Sequence, residues 1–148
     1  MEFRYFTVEY AIEVHDGIIR ESGGLMGIRD RGLIDSSLEH VQNDFYYPEL
    51  EDKLTHILYS FNKNHCFNDG NKRASIALST YFLTINNLAS LVAKFILEME
   101  NIVVDVADNI VDRDLLHELI TSLIYEDEFS EELKLKLIYA KLKRLENE

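Results

Sequence analysis

Two apolar stripes at helical spacing enclose nine mostly polar residues, and this arrangement constrains the chain more than any other feature. Leu54, Ile57, Leu58 and Phe61 recur at i, i+3, i+4 and i+7; beyond the break, Ala74, Ala77, Leu78, Tyr81, Phe82 and Ile85 do the same. Between them stands His65-Cys66-Phe67-Asn68-Asp69-Gly70-Asn71-Lys72-Arg73. The pattern predicts two buried helices joined by a tight loop. A length of 148 residues fits one domain, and 47% hydrophobic residues suffice for a core. A single Pro and six Gly argue against a turn-rich β protein, so the expected class is all-α.

The loop carries a recognisable set of chemical groups. Gly70 permits close backbone approach, and the first N–H groups of the helix after it lack intrahelical partners, so that helix start is an anion site. Lys72 and Arg73 add full positive charges, Arg73 able to bind bidentately and Lys72 as a point charge. Asp69 would repel a bare phosphate, which makes sense if a cation lies between them; Mg2+ held by one carboxylate and phosphate oxygens fits. His65, an imidazole a few residues before that helix start, is the group suited to take a proton from an attacking hydroxyl. Base, metal ligand and phosphate cradle together describe phosphoryl-type transfer.

The string HCFNDGNKR resembles the signature of the Fic/Doc superfamily, and most closely its death-on-curing (Doc) toxin branch. His15-Asp16, the segment Ser22 to Gly27, Asp30, Gly32 and Val41-Gln42 are similar to that branch in the same order. The likeness runs well from about Tyr5 to Asn87 and weakly to about Ile124. It implies a helical bundle with a buried central motif helix and a short flap loop, which makes residues 1–125 the Fic/Doc domain; residues 126–148, beyond the likeness, are expected to form a C-terminal helical extension packed on it. It also implies His65 as general base, Phe67 as core anchor and Asp69 as Mg2+ ligand. Gly70, Asn71, Lys72 and Arg73 would surround the phosphates of a nucleotide, ATP as co-substrate, with Arg73 also acting in catalysis. Gly24, Leu25, Met26 and Gly27 would form a flap where a target segment pairs backbone to backbone.

Two departures bear on the reaction. AMP-transferring Fic proteins have Gly where this chain has Lys72; the Doc branch carries Lys there and resembles a kinase presenting the γ-phosphate, with translation elongation factor Tu as its target. Phosphate transfer is therefore the favoured expectation, with AMP transfer, or a catalytically silent Fic-fold binding module, as alternatives. Cys66 replaces the common Pro and removes no catalytic group. Self-inhibiting Fic proteins carry Ser or Thr, three residues, Glu, then Gly or Asn; Ser122 to Glu126 comes nearest but is followed by Asp127. The absent internal brake implies an external one, a small antitoxin protein.

The rest of the chain is read from local signals. Thr7 caps a helix through Ser22 that stops at Gly23-Gly24, with His15 inside it as a partly buried histidine bonded to a neighbour. Asp30 caps the next helix, whose buried stripe is Leu33, Ile34, Leu38 and Val41. Asn43 to Pro48 is a loop whose Phe45, Tyr46 and Tyr47 are expected at a core edge. A helix from Leu50 to Asn64 follows, with His56 structural because no second ligand stands at i+3 or i+4. Ser90 to Met99 reads as a helix; Ile102 to Asp108 is ambiguous by pattern, and the likeness favours helix. Asp112 or Asp114 caps the next, and Ser130 opens a final charged helix that is a solvated face or a seat for an antitoxin or second copy.

Several function classes are excluded. A formal net charge of −12 disfavours nucleic acid and anionic membranes. No apolar run approaches a spanning helix, the N-terminus lacks a signal-peptide core, and a lone Cys fits a reducing cytoplasm. No HExxH, CxxC or GxxxxGK[ST] string occurs, which removes zinc-hydrolase and P-loop readings.

Overall fold

The computed structural model describes residues 2–147, which form seven α-helices and one 3-10 turn. In chain order these are α1 (Val8–Ser22), α2 (Arg31–His40), α3 (Leu50–Lys63), α4 (Asn71–Ile85), the 3-10 turn Ala89–Leu91, α5 (Val92–Ala107), α6 (Arg113–Tyr125) and α7 (Glu131–Glu146). Among the described residues no strand forms beyond one isolated antiparallel bridge between Ile28 and Phe67. The all-α expectation is met. No helix among the described residues is long and apolar enough to cross a membrane.

The helices start where side chains satisfy orphan N–H groups. Thr7, Asp30, Asp112 and Ser130 each accept from the backbone three residues on. Glu49 and Asp52 form a capping box at the head of α3. Gly23, at φ 82°, ends α1 by donating to the Ile19 carbonyl.

The pair α3 and α4 forms the centre, α3 also packing on α2, α5 and α6, and α4 on α1 and α5. Leu54, Ile57, Leu58 and Phe61 meet Ala74, Leu78, Phe82 and Leu83, all buried. At about 1.5–3 kcal/mol per large apolar side chain, this double layer anchors both ends of the connecting loop. Phe95, Met99, Ile102, Val103 and Val106 close the core from α5.

One expectation is met and another corrected. α5 runs unbroken through the segment split between Ser90–Met99 and Ile102–Asp108 by pattern alone, because no Gly or Pro interrupts it and its buried residues share one face. The aromatic loop is not a core edge: Phe45 is 88% and Tyr46 70% exposed, and only Tyr47 is half-buried, against the His56 ring. The Asn43 Oδ1 accepts from the Phe45 and Tyr46 N–H groups, and this turn throws both rings outward.

α7 seats Leu133 in the core, while Leu135, Ile138, Leu142 and Leu145 remain exposed. Lys136 pairs with Glu118 at 2.7 Å and Lys141 with Asp105 at 3.3 Å, fastening α7 to α6 and α5. His56 is structural as expected. Its Nε2 donates to the Ser37 carbonyl at 3.1 Å, and Arg113 donates to its Nδ1 at 2.8 Å.

Candidate active site

The loop between α3 and α4 places the motif. α3 ends at Asn64, and His65 then takes φ 50°, a left-handed conformation that costs a residue with a Cβ about 1–2 kcal/mol. Glycine is the usual occupant of such a post, and Asn, Asp and His are the other residues that most often accept it. The imidazole is exposed and has no hydrogen-bond, ion-pair or ring partner among the described residues. Cys66 and Phe67 then turn inward, both essentially buried. Burial, reinforced by Asp30, pushes the Cys66 thiol up to about 11, so it is an inert filler of the core.

Asn71 closes the loop. The Phe67 N–H donates to its Oδ1 at 3.1 Å and its Nδ2 donates back to the Phe67 carbonyl at 3.0 Å. The carboxamide is thus spent on the loop. Gly70 precedes it at φ 75°, caps α4 without any side chain, and leaves the first turn's N–H groups open. Lys72 and Arg73 stand exposed on that turn.

The flap meets the site along its length. The Leu25 N–H donates to Asp69 Oδ2 at 3.0 Å, and the Gly70 N–H to Asp69 Oδ1 at 2.8 Å. These two bonds, Leu25 first, hold the Asp69 carboxyl below the usual carboxylate range, so it is an anion at neutral pH. Asn68 donates through its backbone to the Gly27 carbonyl at 3.1 Å and through Nδ2 to the Met26 carbonyl at 3.2 Å. A Cβ on Gly24 would stand 2.7 Å from Asp69 Oδ2, and one on Gly27 2.6 Å from Asn68 Nδ2. Both glycines have positive φ, which explains the glycine spacing of the flap. Leu25 and Met26 point their side chains to solvent.

Three parts of the site were not read from the sequence. Arg73 donates to Ser22 Oγ at 2.6 Å and to the Gly23 carbonyl at 3.2 Å, which ties the motif helix to the end of α1. Asn68 ties flap to loop. Fully buried His15 stacks on Phe67 with ring centroids 3.9 Å apart and 4° between planes, and reaches the Asp69 carbonyl at 2.6 Å. The recurrence of His15-Asp16 in the resembling proteins was the only signal of that last contact.

The structure therefore brings Asp69, Gly70, Arg73 and the flap residues Gly24 and Leu25 together, with His65 and Lys72 free at the same loop. Residues 5–83, just over half the chain, match the Fic/DOC family. The chain belongs to the Fic/DOC family.

Two members show where this chain stands within the family. It is 40% identical over 70 residues to Toxin Doc of Mycolicibacterium smegmatis, which covers 45% of this chain and 54% of that relative. It is 32% identical over 88 residues to Protein kinase doc of Escherichia phage P1, covering 57% and 70%. The chain thus spans about half the length of the first relative.

One cavity lies away from the motif and another borders it. The larger, about 1250 Å³, opens at the far end of α1 beside Tyr5, Asp35, His40 and Tyr46 and shares no residue with the motif. A second, about 660 Å³, is an apolar groove walled by Val14, Ile18, Ile76, Ala77 and Ile96, with Arg73 and Ser22 also lining it.

Proposed function

We propose that this chain is a Doc-type toxin that transfers the γ-phosphate of a nucleoside triphosphate, ATP as co-substrate, to a hydroxyl group of a protein target. The observation that carries the reading is the pairing of an exposed, unpartnered His65 imidazole with an uncapped helix start bearing Lys72, Arg73 and the anionic Asp69.

The donor set suits Mg2+. Asp69 is one hard carboxylate kept ionised, and no group of three or more His, Cys, Asp or Glu among the described residues builds an all-protein metal site. That matches an ion that takes one carboxylate and completes its shell with phosphate oxygens and water. When bound, Mg2+ neutralises charge on the phosphate oxygens. The α4 N–H groups, Lys72 and Arg73 orient the polyphosphate and stabilise charge that develops in transfer. His65 takes the proton of the target hydroxyl as its oxygen bonds to the γ-phosphorus. The bond from that phosphorus to the bridging oxygen breaks, and the nucleoside diphosphate leaves.

Resemblance supplies elongation factor Tu as the target, and hence translation arrest in the cytoplasm. Exposed Leu25 and Met26 on the flap suit a docking segment. The apolar groove beside Arg73 suits an antitoxin helix that lays an apolar face against Ile18 and Ile76 and a carboxylate on Arg73.

Labelled ATP tests the reaction. Label passing to protein from γ-labelled ATP supports phosphate transfer, and label from α-labelled ATP supports AMP transfer instead. No label from either, with equal growth arrest by wild type and His65→Ala, leaves the silent binding module.

A further inference from the structure

His15 lies 54 residues before Asp69 in sequence and is fully buried beneath the loop. Its Nε2 sits 2.6 Å from the Asp69 carbonyl oxygen. That oxygen has no proton to give, so Nε2 carries the hydrogen and donates. The opposite ring nitrogen, Nδ1, faces Asp16 Oδ1 at 3.4 Å.

The carbonyl belongs to the peptide unit joining Asp69 to Gly70, and the described chain has no cis peptide bond. In a trans peptide the C=O and N–H point in opposite directions. With the carbonyl drawn down onto His15, the Gly70 N–H must point away from the core, where it meets Asp69 Oδ1 at 2.8 Å at the mouth of α4. Gly70 itself does not enforce this orientation. Lacking a Cβ, glycine populates positive and negative φ about equally, so its observed φ of 75° is one of two accessible choices. Rotating the 69–70 peptide would change ψ of Asp69 and φ of Gly70 together, and glycine accepts φ of either sign. The rotation would also turn a carbonyl oxygen, rather than an N–H, toward an arriving anion.

We infer that His15 is a positioning residue: by donating Nε2–H to the Asp69 carbonyl while stacked on Phe67, it locks the Asp69–Gly70 peptide with its N–H held on the Asp69 carboxylate at the anion site. His15 touches no substrate on this account and acts through the backbone. The identity of the anion, a nucleoside triphosphate with Mg2+, rests on the proposed function; the peptide orientation does not.

Two variants of the full chain separate donor from ring. His15→Phe keeps the stack on Phe67 and removes the donor; His15→Gln restores a donor without the ring. We expect Mg2+-ATP to bind His15→Phe about tenfold more weakly than wild type, and His15→Gln to recover most of that loss. A merely structural histidine would not show rescue by the amide. The crystal structure of His15→Phe should show the 69–70 peptide rotated or in two orientations. An unrotated peptide overturns the lock, and so does a folded His15→Gln that binds as weakly as His15→Phe. If His15→Phe does not fold, His15→Gln alone decides: near-wild-type binding with the peptide held supports the lock, and tenfold loss overturns it. Wild type that fails to bind Mg2+-ATP while His15→Phe shows a rotated peptide would remove the nucleotide reading and leave the lock standing.

Discussion

The Leu25 N–H reaches Asp69 Oδ2 at 3.0 Å across 44 residues of sequence, so the backbone of the flap is bonded to the carboxylate proposed to hold the metal. Flap and motif loop are therefore one mechanical unit. Gly24 makes the contact possible, since a side chain there would stand 2.7 Å from the same oxygen.

Gly24→Ala should break that unit. Its φ of 123° is strained for alanine, and the added Cβ collides with Asp69, a combination costing on the order of 1–3 kcal/mol. Hydrogen exchange at the Leu25 amide should accelerate while exchange in α3 and α4 stays slow. Unchanged protection at Leu25 would show that the flap does not depend on this contact.

Asp69 should remain ionised well into the acid range, because the Leu25 and Gly70 N–H bonds favour its charged form. A depressed carboxyl pKa means its contribution is present above the ordinary carboxylate range and disappears only on deeper acidification. The carboxyl carbon of the Asp69 side chain should thus keep its ionised NMR shift from about pH 8 to about pH 5. Asp69→Asn should bind ATP equally with and without Mg2+. A titration centred near neutrality would remove Asp69 as the ligand.

His65 combines backbone strain with an exposed base. His65→Ala should lower the transfer rate by roughly 10²–10⁴-fold with little change in melting temperature. His65→Gly should be equally inactive yet more stable than His65→Ala by about 0.5–1 kcal/mol, because φ 50° suits glycine. Parallel urea melts and phosphotransfer assays give both quantities. Equal stability of the two variants would count against stored strain.

His56 makes the fold acid-sensitive. Burial first, then the Arg113 charge, lowers its pKa from 6.5 to about 4. The unfolded chain takes up this proton near pH 6.5 and the folded chain only near 4, so stability is full above 6.5 and falls as pH drops through that window. The loss approaches about 3 kcal/mol by pH 4. Urea unfolding at pH 7 and pH 4.5 should show it, and His56→Gln should flatten the slope. An equally steep slope in the variant would place the acid sensitivity elsewhere.

Interactions between neighbours a few residues apart are legible along the chain. Thr7, Asp30 and Ser130 cap their helices through bonds to the third residue on, a distance any reader of the chain can span. The apolar periods of α3 and α4 likewise placed the motif loop between two buried helices, and the motif named the family. The tertiary structure alone decided how the site is assembled. His15 to Asp69, Leu25 to Asp69 and Ser22 to Arg73 join residues 54, 44 and 51 positions apart, and nothing local encodes those distances. Burial is equally nonlocal, which is why Phe45 and Tyr46 read as core from their chemistry yet stand in solvent, turned out by Asn43. Local hydrogen bonds and periodicity are written along the chain, whereas a site joined by backbone contacts between distant loops exists only after the helices have packed.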